Sequence, residues 1–190
     1  IPKDIKLVIA PDSSSNDYDV HKQLAERGCD VLVIDHHLAD HVSEYACIIN
    51  NQMCDYPTKS LSGAGVVYKF CAYLDKLLDI DYSESFMDLA AVGIIADIMD
   101  LNSYEVRFII EHGLQNITNP FLKEMVKKQE FKVQGSLNPF KVAFYIAPFI
   151  NAVNRSGNAQ ERLLLFESML TFRAYEQIPS TKRGEKGMTE

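Results

Sequence analysis

The sequence predicts an α/β fold, a parallel sheet flanked by helices with a more helical C-terminal part. Three observations predict it. Two short apolar, β-branched runs each end at an aspartate and are separated by about one helix of chain. An Ala-rich apolar stretch in mid-chain has the makeup of a buried helix. Most of the sequence beyond residue 66 repeats its apolar residues at helical spacing.

The first run, residues 5–10, ends at Pro11-Asp12, and the second, residues 31–34, ends at Asp35-His36-His37. Continuous apolar runs of this length suit strands buried on both faces, as in a parallel sheet. Between them Val20, Leu24, Ala25 and Cys29 share a helical face, and Gly28 stands where a helix C-terminus is expected. The unit is β-loop-α-β with a right-handed crossover. A third strand is expected over residues 46–50, followed by a polar, Pro-containing loop to Ser60 and the turn-like Leu61-Ser62-Gly63-Ala64-Gly65. Val67, Phe70, Cys71, Leu74 and Leu78 then place a helix at 66–78. Residues 85–99 read as a buried helix ending near Asp97. Residues 103–117 and 120–128 read as amphipathic helices capped by Ser103 and Asn119. Residues 140–148 fit helix or strand equally. A polar stretch, 151–158, precedes a helix at 159–170, and residues 179–187 have the basic, apolar-poor composition of a linker.

Of the 190 residues, 47% are hydrophobic and 24% charged, enough for one sizeable core with a small appendage. The net charge of −7 argues against blanket binding of nucleic acid or anionic membrane. A polyanionic ligand must therefore meet a local basic site or bound cations. Cys29, Cys47, Cys54 and Cys71 form no Cys-x-x-Cys pair and read as reduced thiols of a cytoplasmic protein. No apolar run has the length of a membrane span, so no membrane partner is expected. The opening Ile1 suggests a piece of something longer.

In a parallel sheet, ligands collect beyond the carboxyl ends of the strands. Asp12 and Asp35 both stand at that edge, and neighbouring strand ends lie roughly 5 Å apart. Carboxylates so close raise one another's pKa unless a cation neutralises them. His36 and His37 add imidazole nitrogens, completing a donor set suited to manganese, magnesium or zinc. Taken singly, Asp12 could open a turn and Asp35 cap a helix. Together with the His pair, they favour a metal site.

Val33-Ile34-Asp35-His36-His37 resembles the signature of the DHH phosphoesterases, two-metal hydrolases that include RecJ-type single-strand-specific exonucleases. The segment from Ile9-Ala10-Pro11-Asp12 to Asp17 resembles the second motif of that family. Gly93-Ile94-Ile95-Ala96-Asp97 resembles its fourth. Ile146-Ala147-Pro148-Phe149-Ile150-Asn151-Ala152-Val153-Asn154-Arg155 is similar to a stretch of the RecJ branch. The run from Ile49 to Gln52, with Leu61 to Gly65, is similar to phage or prophage members.

The resemblance implies single-stranded-DNA exonuclease activity in repair or recombination, with two divalent ions, manganese preferred and magnesium the alternative. It implies that Asp12 bridges the ions, that His36 and Asp97 complete one shell, and that Asp35 orients a histidine. It places His37 near the scissile phosphate, and Arg155 with Asn151 on the nucleic acid. Single-stranded DNA is the implied partner, with replication or recombination proteins as further candidates. The family's first motif, Asp-x-Asp, has no counterpart, so one metal shell reads as incomplete and the chain alone as inactive or weakly active. Phe149 and Val153-Asn154 depart from the RecJ pattern. The expected organisation is a DHH phosphoesterase domain over 1–175, without its first strand, and a linker over 176–190 to a second domain. The rival readings are a phosphodiesterase of short oligonucleotides or cyclic dinucleotides, and a catalytically silent binding module.

Elsewhere, His21 and His41 read as surface or loop residues and His112 as a cation at a helix C-terminus. Asp17-Tyr18-Asp19 reads as a solvated turn, and Tyr68, Phe70 and Tyr73 as core and rim. Lys123, Lys127, Lys128 and Lys132 are either a solvated face or a strand-tracking surface. Lys182, Arg183 and Lys186 carry the same two readings. Ser62 to Gly65 is either a phosphate-binding helix start or a tight entry into the helix.

Overall fold

The structure, a computed structural model, describes residues 1–179 and 187–189. Lys182, Arg183 and Lys186 lie outside the described residues. The chain divides into two compact units, Ile1–Asn116 and Ile117–Glu190.

In the first unit, β1 (Leu7–Pro11), β2 (Asp30–Asp35) and β3 (Cys47–Asn50) form a parallel sheet in the order β1-β2-β3. The crossover from β1 to β2 is α1 (Tyr18–Glu26). On one side of the sheet, Leu24 of α1 packs with Cys29, Val31 and Val33, and with half-buried Val8, Ala10, Ala46 and Ile48. The helices α2 (Gly63–Leu78), α3 (Met87–Ala96) and α4 (Tyr104–Gln115) pack in sequence, α2 against β2 and α3 between α2 and α4. A 3-10 turn at Ser83–Phe86 leads into α3. Buried residues occur all around α3 (Asp88, Ala90, Ala91, Val92, Ile94 and Ile95), as a helix enclosed by its neighbours requires.

Two features of this unit differ from the sequence reading. β1 is an edge strand, and Leu7 and Ile9 are exposed on one of its faces. The face of α1 is turned by one residue: His21 is only 1% exposed beside Leu24, while Val20 is 47% exposed. His21 is thus a core residue and not a surface one. Its Nε2 lies 3.4 Å from Ser14 Oγ, and its buried Nδ1 has no partner among the described residues. Asp17 and Asp19 belong to the start of α1 and not to a free turn.

The second unit contains α5 (Pro120–Lys128), α6 (Glu130–Val133), α7 (Pro139–Tyr145), α8 (Ala147–Ser156) and α9 (Ala159–Met169). A short antiparallel pair, β4 (Ile178–Pro179) and β5 (Met188–Thr189), completes it. Asn119 caps α5 through the amides of Phe121 and Leu122 and donates from Nδ2 to the Met169 carbonyl, tying the start of α5 to the end of α9. The ambiguous stretch 140–148 is helical, broken at Ile146. Pro148 follows in the first turn of α8, where its fixed φ fits and its missing N–H costs nothing. The polar stretch continues that helix to Ser156, so Asn151 and Asn154 are helical, while Asn158 lies beyond it. Asn158 and Glu161 then form a reciprocal cap on α9.

Candidate metal centre

Strand register builds the site. Pro11 pairs with Ile34 and Asp35 with Asn50, so Asp12, Asp35 and Asn50 follow one another along the carboxyl edge of the sheet. The Asp12 amide still donates to the Ile34 carbonyl at 2.8 Å, but its backbone turns to φ +56, ending the strand and turning the chain away. Aspartate tolerates this left-handed conformation better than most residues.

Gly63, the first residue of α2, lies against the Asp12 side chain. A Cβ at position 63 would stand 2.1 Å from Asp12 Oδ1, so any other residue there must push Asp12 aside. One layer further, a Cβ on Gly93 would meet the Ala64 Cβ at 2.4 Å. That close approach of α3 to α2 sets the position of Asp97, which caps α3 one turn later. The end of α3 is a Schellman-type stop: Met99 N–H donates to Ile94 O, and Ile98 N–H to Ile95 O. Ile98 takes the left-handed position at φ +54, where a β-branched residue is strained.

These elements converge on one imidazole. His36 Nε2 lies 3.2 Å from Asp12 Oδ1 and 3.3 Å from Asp97 Oδ2. The His36 side chain is 9% exposed, while both carboxylates remain open to solvent. Asp12, His36 and His37 offer ligand atoms that all lie within 4.8 Å of one another. Partial burial raises the Asp12 pKa, His36 opposes that rise, and the Asp97 charge adds to it.

Asp35 sits behind this cluster, 1% exposed. Its Oδ1 accepts from the His36 amide at 2.8 Å, the His37 amide at 3.3 Å and His37 Nδ1 at 2.7 Å, and its Oδ2 accepts from the Ser15 amide at 3.2 Å. Burial would raise its pKa, but the hydrogen bonds from His37, Ser15 and the two backbone amides outweigh burial and hold it at about 2. The same bond from Asp35 raises the pKa of His37 and fixes its ring, with Nδ1 donating and Nε2 turned away.

Asn50 is a site residue that the sequence reading did not single out. It is buried, donates to Ser15 Oγ at 2.9 Å and the His37 carbonyl at 2.8 Å, and accepts from the Gln52 amide at 2.8 Å. Its signal was an asparagine ending a third buried strand, the place that aspartates hold in the other two. Ser15 carries no such signal and Gly63 only that of a tight helix start, since their roles depend on contacts between distant segments. The structure thus brings Asp12, Asp35, His36, His37 and Asp97 together in the first unit. Asn151, half-buried, and Arg155, exposed, lie on α8 of the second. His41 and His112 are exposed, His112 stacked on Phe108 in the last turn of α4.

The donor set fits a divalent cation: carboxylate oxygens and an imidazole nitrogen converge where two negative charges otherwise repel. Residues 1–94 match the DHH family, N-terminal domain. The chain is 40% identical over 186 residues to YorK of Bacillus subtilis (strain 168), an SPbeta prophage-derived protein provisionally named a single-strand DNA-specific exonuclease. That alignment covers 97% of this chain and 32% of YorK. The chain is 34% identical over 177 residues to the single-stranded-DNA-specific exonuclease RecJ of the same organism, covering 90% of the chain and 22% of that protein. The chain therefore spans about a third or less of the length of these relatives. A crystal structure of exonuclease RecJ bound to manganese superposes with a TM-score of 0.74 and 29% identity, over 85% of this chain and 42% of that one. RecJ of Thermus thermophilus in complex with Mn2+ gives 0.73 and 30%, over 84% and 25%. Among the described residues no helix is long and apolar enough to cross a membrane.

Proposed function

We propose that the protein hydrolyses phosphodiester bonds of single-stranded DNA from an end, using two divalent ions with manganese preferred. The observation that carries this reading is the convergence of Asp12 and Asp97 on the single nitrogen of His36. Asp12, His36 and Asp97 would hold metal, their donor atoms converging at one edge of the sheet. Divalent ions held there would supply a hydroxide at neutral pH and neutralise charge on the phosphate.

The chain's own residues do the rest. Asp35 holds the His37 ring through Nδ1 and raises its pKa, so His37 presents its Nε2 edge to a phosphate oxygen. The buried pair Ser15 and Asn50 keeps Asp35 and the His37 backbone from shifting. Arg155 suits a bidentate phosphate grip on the strand and Asn151 a polar contact beside it. Three protein ligands for one ion leave the second ion's carboxylates to be supplied by other residues. The 190 residues by themselves are therefore expected to be weakly active or inactive. Residues 1–175 are proposed as the catalytic domain.

The experiment is a manganese-dependent assay on end-labelled single-stranded DNA, with intact duplex as control, using the whole protein and its Asp12→Asn variant. Stepwise shortening of the single strand that disappears in Asp12→Asn is expected. Metal-independent cleavage, or cleavage that survives Asp12→Asn, overturns the reading.

A further inference from the structure

The two units differ sharply in charge. Residues 1–116 carry 8 Lys and Arg against 19 Asp and Glu, whereas residues 117–190 carry 11 against 7. The unit that holds the metal cluster repels a nucleic-acid strand except where cations are bound, so attraction must come from the second unit.

In that unit the exposed aromatics and the lysines occur together. Phe140 and Phe144, one turn apart on α7, are 59% and 62% exposed, with ring centroids 4.6 Å apart and planes at 32°. Tyr145 continues the group, 6.3 Å edge-on from Phe140, and Lys132 of α6 holds its ammonium 5.8 Å from the Tyr145 ring. The Lys141 ammonium, between the two phenylalanines in sequence, is held by the Gln134 and Ser136 carbonyls at 2.9 and 2.6 Å. It is fixed in place without being neutralised. α5 packs on α6 and α6 on α7. Among the described residues, Lys128 and Lys132 have no ion-pair partner, while Lys127 pairs with Glu124.

We propose that this α6–α7 face, with Lys128 of α5, is a binding surface for single-stranded DNA: bases stack on Phe140 and Phe144 while Lys128, Lys132 and Lys141 meet phosphates. Planar rings interleaved with cations are what sequence-tolerant strand binding requires. A protein-binding face would be depleted of lysine. The inference rests on the nuclease reading for its ligand, but strand binding can be measured with no cleavage.

The test uses the whole 190-residue chain, a fluorescein-labelled oligothymidylate and fluorescence anisotropy in EDTA. The Phe140→Ala/Phe144→Ala variant is expected to bind about 10- to 100-fold more weakly, as lost base stacking predicts, and Phe140→Trp/Phe144→Trp to retain binding. Lys128→Gln/Lys132→Gln is expected to lower the slope of log affinity against log salt by about 1.4, two phosphates' worth. Unchanged binding by the Phe-to-Ala variant overturns the proposal and leaves the nuclease reading intact. So does a changed oligomeric state with unchanged binding, which would make the face a protein contact. A wild-type chain with no affinity for the oligonucleotide also overturns it, and Asp12-dependent cleavage by the whole protein would still separate the two readings.

Discussion

Replacing Gly63 by alanine separates metal binding from stability. The added Cβ would stand 2.1 Å from Asp12 Oδ1, 2.5 Å from its Cγ and 2.6 Å from its Cβ. Ordinary contact begins near 3.4 Å, so the carboxylate must retreat by about 1.3 Å. The carboxylate can swing away, because the side chain is 61% exposed, but the Asp12 Cβ is fixed to the backbone at the end of β1 and must shift by about 0.8 Å. Alanine also favours the helix over glycine by up to about 1 kcal/mol. The backbone shift offsets that gain, so stability should change by no more than about 1 kcal/mol, while manganese affinity falls about 10- to 100-fold, the usual cost of disturbing a ligand's support. Isothermal titration with Mn2+ and thermal unfolding in EDTA read the two quantities. Gly28→Ala is the control: its Cβ would meet nothing within 4 Å, but φ is +71. It should lose about 1 kcal/mol of stability and keep its metal affinity. Gly63→Ala titrating like the wild type would refute the claim that Asp12 is a ligand held in place by this contact.

The remaining predictions concern the supports of the cluster. Asp35, with a pKa of about 2 against an ordinary 3.8, contributes about 2 kcal/mol that is fully present above pH 4 and lost as pH falls through 2. Asp35→Asn should therefore unfold at lower urea concentration at pH 7, with the gap from wild type closing toward pH 2; a gap that is constant with pH would refute the hydrogen-bond account. Ile98→Gly should raise stability by about 1 kcal/mol, measured by urea unfolding in EDTA, because it removes the left-handed strain at φ +54 from a side chain that is 91% exposed. Asn50→Ala should leave three polar groups without their partner and cost about 1–3 kcal/mol. It should also alter the pH titration of His37 in nuclear magnetic resonance, which a purely local packing defect would leave unchanged.

The strands and their aspartates were legible because a short buried strand can be read locally: a few β-branched residues, then a polar residue where the sheet ends. Asp97 was legible too, since the uncharged run from Leu89 to Ala96 stops visibly at it. The face of α1 was misread because Val20 and His21 are neighbours, and a hydropathy pattern prefers the valine. The fold instead buries the imidazole against Ser14, a contact created only when the loop folds back. α8 was partly hidden for the opposite reason: its asparagines suit loops locally, whereas Pro148 in its first turn and the Asn158 cap of the following helix frame it. The roles of Gly63 and Asn50 are not local in the sequence. Each matters through a partner at least 13 residues away, Asp12 for one and His37 for the other.

What unites the site is that folding energy is used to bring like charges together. Two backbone positions in left-handed conformations, Asp12 itself and Ile98 after Asp97, direct the chain at the ends of β1 and α3. Two glycines let helices approach closely enough to hold those ends. The result is a pair of solvent-open carboxylates against one imidazole nitrogen, in a unit already rich in acid. A structural ion pair needs none of this, because exposed carboxylates gain little from one imidazole. Strain, close packing and charge repulsion at one sheet edge become intelligible together if a dication completes the arrangement. Asp35 fits the same logic from behind: its own charge is satisfied by His37, Ser15 and backbone amides, so it steadies the imidazole without competing for the metal.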